Sequence, residues 1–217
     1  MTELEALHQR HSVRAYEDKK IVPEAMAALR SLLDEVNAEG NLHLQLVEDA
    51  GKTFNRLLNR FMGLGSAPSV IACIGPDDET LDERIGYYGQ KIVLAAQCLG
   101  LNTCWAGTFN PKNVNAEIGE GERLSIVIAI GYGAVQGNPH RSKKATDVSN
   151  CTETAPDWFR AGVEAALLSP TAINQQHFRI ELQEDGSVRF TDLGGVFSKV
   201  DLGIVRYQFE IGAGRKV

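Results

Sequence analysis

The sequence predicts an α+β fold in which helices cover a mixed or antiparallel sheet. Three observations carry that expectation. Apolar residues recur at helical spacing in several segments. Between them lie short alternating or continuously apolar runs bounded by Gly and Pro. The chain has 217 residues, 43% hydrophobic and 23% charged, which fits one ordinary globular domain or one domain with an appendage. A domain of that size buries roughly 70% of the surface its unfolded chain exposes, so no disulfide or metal staple is required.

Residues 3–10 read as a short helix with apolar Leu4 and Leu7. The turn-like run RHSVRAYEDKKIV leads from it into a helix opened by Pro23, whose fixed φ suits a first helical turn. Met26, Leu29, Leu32, Leu33 and Val36 give that helix its apolar stripe. Beyond the breaker Glu39-Gly40-Asn41, residues 42–48 alternate as a strand. A helix is expected around 52–62, then a buried strand over 69–74 stopped by Gly75-Pro76. Residues 81–99 form a long apolar helix whose Gly86, Gly89, Ala95 and Ala96 would let another helix approach closely. Its stripe Ile85, Tyr88, Ile92 and Ala96 calls for an apolar partner, expected to be the final helix at about 201–213. Residues 124–131 read as a continuous apolar strand ending in Gly131-Tyr132-Gly133.

The polar stretch 135–156 reads as a linker, and residues 157–217 look like a partial second copy of the first half. Leu32-Leu33, a break, Leu42 to Leu46 and Glu48-Asp49 are echoed by Leu167-Leu168, a break, Phe178 to Leu182 and Glu184-Asp185. Strands over 178–183 and 187–193 and the final helix complete the echo. The expected organisation is a first half over 1–134, the linker 135–156 and a shortened second half over 157–217. Such halves would sit about an approximate two-fold axis, imitating a homodimer within one chain.

Charge and composition exclude several functions. A net charge of −6 argues against non-specific binding to nucleic acid or an anionic membrane. No secretory signal or transmembrane run is visible, so the cytoplasm is the expected compartment. Cys73, Cys98, Cys104 and Cys151 form no CxxC pair and the five histidines no HExxH, so no metal is expected. A Cys–His pair that meets in space is left open by spacing alone.

Four segments carry chemistry, and each alone also fits a plain structural role. Arg10-His11-Ser12-Val13-Arg14 places two guanidiniums and a hydroxyl within five residues, which suits a phosphate or equally a solvated turn. In Gly100 to Thr108, the small Ala106 and Gly107 would let backbone N–H groups approach a planar ligand. That stretch also fits a helix C-cap followed by a buried edge strand. Ser169 to Gln176 offers hydroxyls and amides to a ligand, or is a polar turn stopped by Pro170. Arg141-Ser142-Lys143-Lys144 offers a second phosphate contact, or is a solvated linker.

Together, RHSVRAY, AAQCLGLNTCWAG, AIGYG, RSKK and SPTAINQQHF resemble, over nearly the whole chain, the FMN-dependent nitroreductase family. The resemblance implies a nitroreductase-like fold and an FMN-dependent oxidoreductase. Such an enzyme takes hydride from NAD(P)H and passes it to a nitroaromatic, quinone or similar small-molecule acceptor. Related alternatives are flavin destruction, dehalogenation, or flavin binding without turnover. It implies that Arg10 and Ser12 bind the phosphate and ribityl end, with His11 acting through its backbone and Arg14 near the N1–C2=O edge of the ring. Trp105 and Ala106 would lie along one ring face, and the N–H groups of Gly107 and Thr108 would face N5 and O4. Arg141 and Lys143 would complete the phosphate site, and Thr171, Asn174 and Gln176 would approach the flavin from the second half. No side-chain acid or base is required, because the cofactor carries the redox chemistry. The SPxxxN-type loop sits in the second half rather than after the second helix. This resembles a subfamily with a shortened second unit fused to the first. It implies one FMN per chain in a monomer, or a homodimer that exchanges the second halves.

Overall fold

The computed structural model describes residues 1–50, 53, 54, 64 and 67–217. The helix expected around 52–62 lies outside the described residues, apart from Thr53 and Phe54. In chain order the elements are α1 (Glu3–Gln9), α2 (Pro23–Gly40), β1 (Gln45–Glu48), β2 (Ser69–Pro76), α3 (Leu81–Cys98), β3 (Asn102–Ala106) and β4 (Glu122–Gly131). Next come α4 (Ala145–Val148), α5 (Asp157–Ala166), β5 (Phe178–Leu182), β6 (Val188–Asp192) and α6 (Ser198–Ala213). Helices with antiparallel strands make this an α+β fold. No helix among the described residues is long and apolar enough to cross a membrane.

The local chemistry explains the boundaries. Pro23 opens α2, and Asn41 closes it in the left-handed region at φ +47° with its N–H on Asn37 O. The Asn37 side chain then accepts from Leu44 N–H at 2.7 Å and donates to Leu44 O at 3.0 Å, which fixes the entry to β1. After α3, Gly100 turns the chain at φ +76°, and Leu101 N–H returns to Ala96 O at 2.9 Å. β3 begins at the next residue.

The chain divides into two compact units. One comprises residues 10–81 and 92–139, and the other residues 1–9, 82–91 and 140–217. The first holds an antiparallel sheet of order β1-β2-β4-β3, with Leu46 opposite Ile71, Ile71 opposite Ile128, and Trp105 opposite Ile128. Its core includes Val13, Tyr16, Val70, Ala72, Cys104, Val127 and Ala129. Strand 102–106 occupies a sheet edge, so the Gly100–Thr108 stretch is a helix exit and a strand at once.

The second unit holds β5 and β6 as a separate two-stranded hairpin, with Ile180 opposite Phe190. The expectation of one sheet containing all five predicted strands is therefore corrected to two sheets. Gly186 at φ +81° and the Asp185 carboxylate accepting from Ser187 N–H close a tight turn, so β5 and β6 pair with each other. The hairpin buries Phe178 and Ile180 in a core with Phe159, Val163, Val205 and Phe209.

Within that second unit, α3 and α6 meet, as the sequence led us to expect. A Cβ added to Gly86 would fall 2.0 Å from Val200 O, and one added to Gly203 would fall 2.0 Å from Glu83 O. The backbones touch through these glycines, which no other residue would allow. Gly86 and Tyr87 make the close approach, next to the stripe residues Ile85 and Tyr88 in sequence.

Candidate functional site

Residues 10–17 lie beside the start of β3 and the end of β4. Ser12 forms a parallel bridge with Thr103, and Tyr16 an antiparallel bridge with Gly133. Val13 N–H donates to Thr103 O at 3.0 Å, Glu17 N–H to Tyr132 O at 2.8 Å, and Ala134 N–H to Ala15 O at 3.0 Å. The buried Tyr16 hydroxyl lies 2.8 Å from Val13 O and 3.3 Å from Ala129 O, so it holds the strap to β4. Asn102 ties the neighbouring chain in place, accepting from Gly133 N–H at 3.0 Å and donating to Gln136 Oε1 at 3.1 Å. At Gly137, φ +73°, an added Cβ would meet His11 Cβ at 2.9 Å and Ser12 O at 3.2 Å. The strap is thus closely covered on that side.

This scaffold gathers Arg10, Ser12 and Arg14 around Cys104 of β3. Arg10 is 6% exposed, and its Nε is buried with no hydrogen-bond partner among the described residues. Burial pushes the guanidinium down to about 10, and the Cys104 thiol opposes the shift. It remains a cation at neutral pH. A buried charge without an acidic partner costs several kcal/mol unless something from outside neutralises it. Burial raises the Cys104 thiol, while Arg14, Arg10 and a hydrogen bond with Ser12 pull it the other way. His11 and Ser12 are half-buried and Arg14 is exposed. Trp105 is half-buried, Ala106 buried, Gly107 half-buried and Thr108 exposed, so this end of β3 reaches the surface. The arrangement suits an anion placed against Arg10.

The remaining expected residues belong to the second unit, where they hold one another. Lys143 Nζ donates to Gln176 O, and Lys143 N–H to Gln176 Oε1, each at 2.9 Å. Asn174 Nδ2 and Gln176 Nε2 both donate to Arg141 O at 2.9 Å, and Gln176 N–H donates to Thr171 Oγ1 at 3.1 Å. Gln176 is buried, while Arg141, Lys143 and Asn174 are exposed. The structure therefore brings Arg141, Lys143, Thr171, Asn174 and Gln176 together as one knot.

Three residues of these two clusters were missed by sequence reasoning. Cys104 lies inside the AAQCLGLNTCWAG motif, but nothing local signals its arginine neighbours. Gln175 and Asp201 meet across 26 residues, with Gln175 Nε2 donating to Asp201 Oδ2 at 2.8 Å, and no local spacing announces that contact. Among the described residues no group of three or more His, Cys, Asp or Glu is placed to hold a metal.

Comparison with known proteins agrees with this architecture. A family model described as "Putative TM nitroreductase" matches residues 3–213. The chain is similar in structure to a "putative nitroreductase" of Thermotoga maritima, with a TM-score of 0.72 at 22% identity, covering 100% of this chain and 87% of that one. A protein of Desulfovibrio desulfuricans, named as a nitroreductase in complex with FMN, gives 0.53 at 20% identity, covering 72% and 99%. One of Bacteroides thetaiotaomicron, named as an NADH dehydrogenase/NAD(P)H nitroreductase, gives 0.52 at 18% identity, covering 67% and 95%. No curated protein sequence matches the chain. A match over 3–213 spans nearly all 217 residues, and the chain belongs to this nitroreductase family.

Proposed function

We propose that the protein is an FMN-dependent oxidoreductase that takes hydride from NAD(P)H and delivers it to a nitroaromatic, quinone or similar acceptor. The observation that carries this reading is Arg10, a buried guanidinium whose Nε finds no partner among the described residues. A phosphate monoester supplies the negative oxygens that such a group lacks. The residues present therefore fit FMN better than a flavin without phosphate. FMN supplies the hydride chemistry when bound.

The chain's own residues bind and orient. Arg10 and Ser12 hold the phosphate end, with His11 contributing its backbone. Arg14, exposed next to the strap, supplies a cation for the pyrimidine edge of the ring. Trp105 and Ala106 flank one face, and the N–H groups of Gly107 and Thr108 set its orientation. Arg141, Lys143, Thr171, Asn174 and Gln176 complete the site from residues 157–217 and the segment before them, read as a shortened second half acting in cis. The names of the structural neighbours, one in complex with FMN and one an NAD(P)H nitroreductase, support this reading.

The test is the absorption spectrum of the purified protein, then titration with FMN and riboflavin. Flavin bands and a clear preference for FMN are expected, with NAD(P)H oxidised when a nitroaromatic is added. Equal affinity for FMN and riboflavin would refute the role given to Arg10. Mixing Arg10→Ala chains with Asn174→Ala chains should restore no intact site if each chain completes its own.

A further inference from the structure

We propose that Asp201 is the positioning residue of segment 171–176: its carboxylate fixes the left-handed turn that presents Thr171, Asn174 and Gln176. The inference rests on the reading of that segment as part of the cofactor site. It concerns a residue that lies outside every motif by which the site was recognised.

The segment has an unusual backbone. Ile173 (φ +47°), Asn174 (φ +58°) and Gln176 (φ +47°) are all non-glycine residues in the left-handed region. Each is disfavoured for an L-residue, and the β-branched Ile173 most of all. The local bonds, Asn174 N–H to Thr171 O and Gln175 N–H to Ala172 O, each at 3.0 Å, are those of any short 3₁₀ turn. They do not select the left-handed form. An anchor from outside the segment is needed, and a run of such residues persists only where its surroundings over-determine it.

Asp201 supplies such an anchor at Ala172 and Gln175, as Arg141 and Lys143 do at Asn174 and Gln176. Asp201 lies in the first turn of α6, 6% exposed. Ala172 N–H points between its two oxygens, 3.0 Å from Oδ1 and 3.1 Å from Oδ2. Gln175 Nε2 donates to Oδ2 at 2.8 Å and also to Val196 O at 2.8 Å. The carboxylate thus grips the segment on either side of Ile173 and Asn174. Gln175 joins the same grip to the loop before α6. A carboxylate suits the task because both of its oxygens accept and neither presents a donor to the converging N–H groups. Asp201 bonds to Ala172 and Gln175 rather than to Thr171, Asn174 or Gln176, so it acts on those three through the backbone that it holds.

The experiment compares the full-length wild type with Asp201→Ala, Asp201→Asn and Gln175→Leu. Two readouts are needed: amide hydrogen exchange at Ala172 without added flavin, and the dissociation constant for FMN. Asp201→Ala is expected to speed exchange at Ala172 and weaken FMN by about tenfold each, the size of losing one hydrogen bond to a charged group. Asp201→Asn keeps one acceptor oxygen in place and should recover most of both losses. Gln175→Leu removes half of the grip without touching the buried acid. It should show the same trend at smaller amplitude, and it carries the test if Asp201→Ala does not fold. Unchanged exchange at Ala172 in Asp201→Ala and Gln175→Leu would overturn the proposal. Faster exchange with unchanged FMN affinity would overturn the role in the site, while leaving the flavin reading intact. A wild type that binds no FMN would instead defeat the functional reading, and the exchange data alone would then judge the anchor.

Discussion

Residues 10–14 and residues 171–176 are both rich in polar side chains, and they treat those groups in opposite ways. The knot in the second unit is closed. Gln176 accepts from Lys143 N–H and donates to Arg141 O, Asn174 donates to the same carbonyl, and Lys143 Nζ rests on Gln176 O. The strap in the first unit is open, because Arg10 is buried and its Nε has no partner among the described residues. A closed network holds shape, whereas a buried cationic group with an unmet donor stores affinity for an anion. The difference separates expected site residues that satisfy one another from one whose donor has no partner among the described residues.

The largest expected effect tests the open half. Arg10→Met should weaken FMN by about 1.5–3 kcal/mol for each charge-assisted hydrogen bond lost, and leave riboflavin nearly untouched. The same variant should not destabilise the flavin-free protein, since it replaces a buried guanidinium whose Nε has no partner among the described residues with an apolar chain. Thermal melts without flavin and titrations with both flavins check this. A fall in stability without a fall in FMN affinity would make Arg10 a structural residue.

Next in size is the acid that anchors the closed half. Burial raises Asp201 from its ordinary 3.8 to about 6, with Asp192 adding to the shift, while Gln175 and Ala172 N–H oppose it. Between those values the folded protein holds a proton that the unfolded chain has already released. Stability should therefore fall as pH rises from about 3.8 to 6, by on the order of 3 kcal/mol. Above that window the ionised acid carries its full burial penalty. Asp201→Asn should flatten this part of the curve and melt higher than wild type at pH 7. A wild-type curve that rises steadily through the window and a lower-melting Asp201→Asn would show that the carboxylate is net stabilising.

Gln176→Ala breaks the closed half directly. It leaves Lys143 N–H without its acceptor and Arg141 O without one of its donors, in a site where Gln176 is 3% exposed. Losing part-buried bonds of this kind costs about 1 kcal/mol, so chemical denaturation should show a loss of that size. A loss of stability in Gln176→Ala and none in Arg10→Met are required if one half is open and the other closed.

Much of this was legible in the sequence, and the exceptions share a cause. Periodicity located α3 and α6 closely, because Leu81–Cys98 and Ser198–Ala213 carry long apolar stripes. Small residues marked Gly86 as a site of close approach, although Val200 and Gly203 of α6 were not visible as the surface that meets α3 there. Arg10 was legible as a phosphate candidate from its neighbours, but its burial was not, since charged residues are seldom buried. The grip of Asp201 on Ala172 spans 29 residues and obeys no local spacing. The separate hairpin likewise depended on which strands pair, a long-range choice that strand propensity does not encode.

The smallest expected effect concerns the tip of the closed segment. Ile173 is 88% exposed and sits at φ +47°, ψ 21°, so its side chain gains nothing from burial while its backbone is held where a β-branched residue is disfavoured. Glycine occupies that region without steric penalty, though it also enlarges the entropy of the unfolded chain. The left-handed penalty of about 1–2 kcal/mol outweighs the entropy loss of about 0.5–1 kcal/mol, so Ile173→Gly should stabilise by roughly 0.5–1 kcal/mol. Asn174→Gly at φ +58° should gain less, because asparagine already tolerates the conformation. Paired denaturation curves for the two variants measure the difference. If Ile173→Gly lowers stability, the isoleucine makes a contact that offsets its strain. If it raises stability as expected, the strain at the tip is real and is held in place by the anchored backbone on either side.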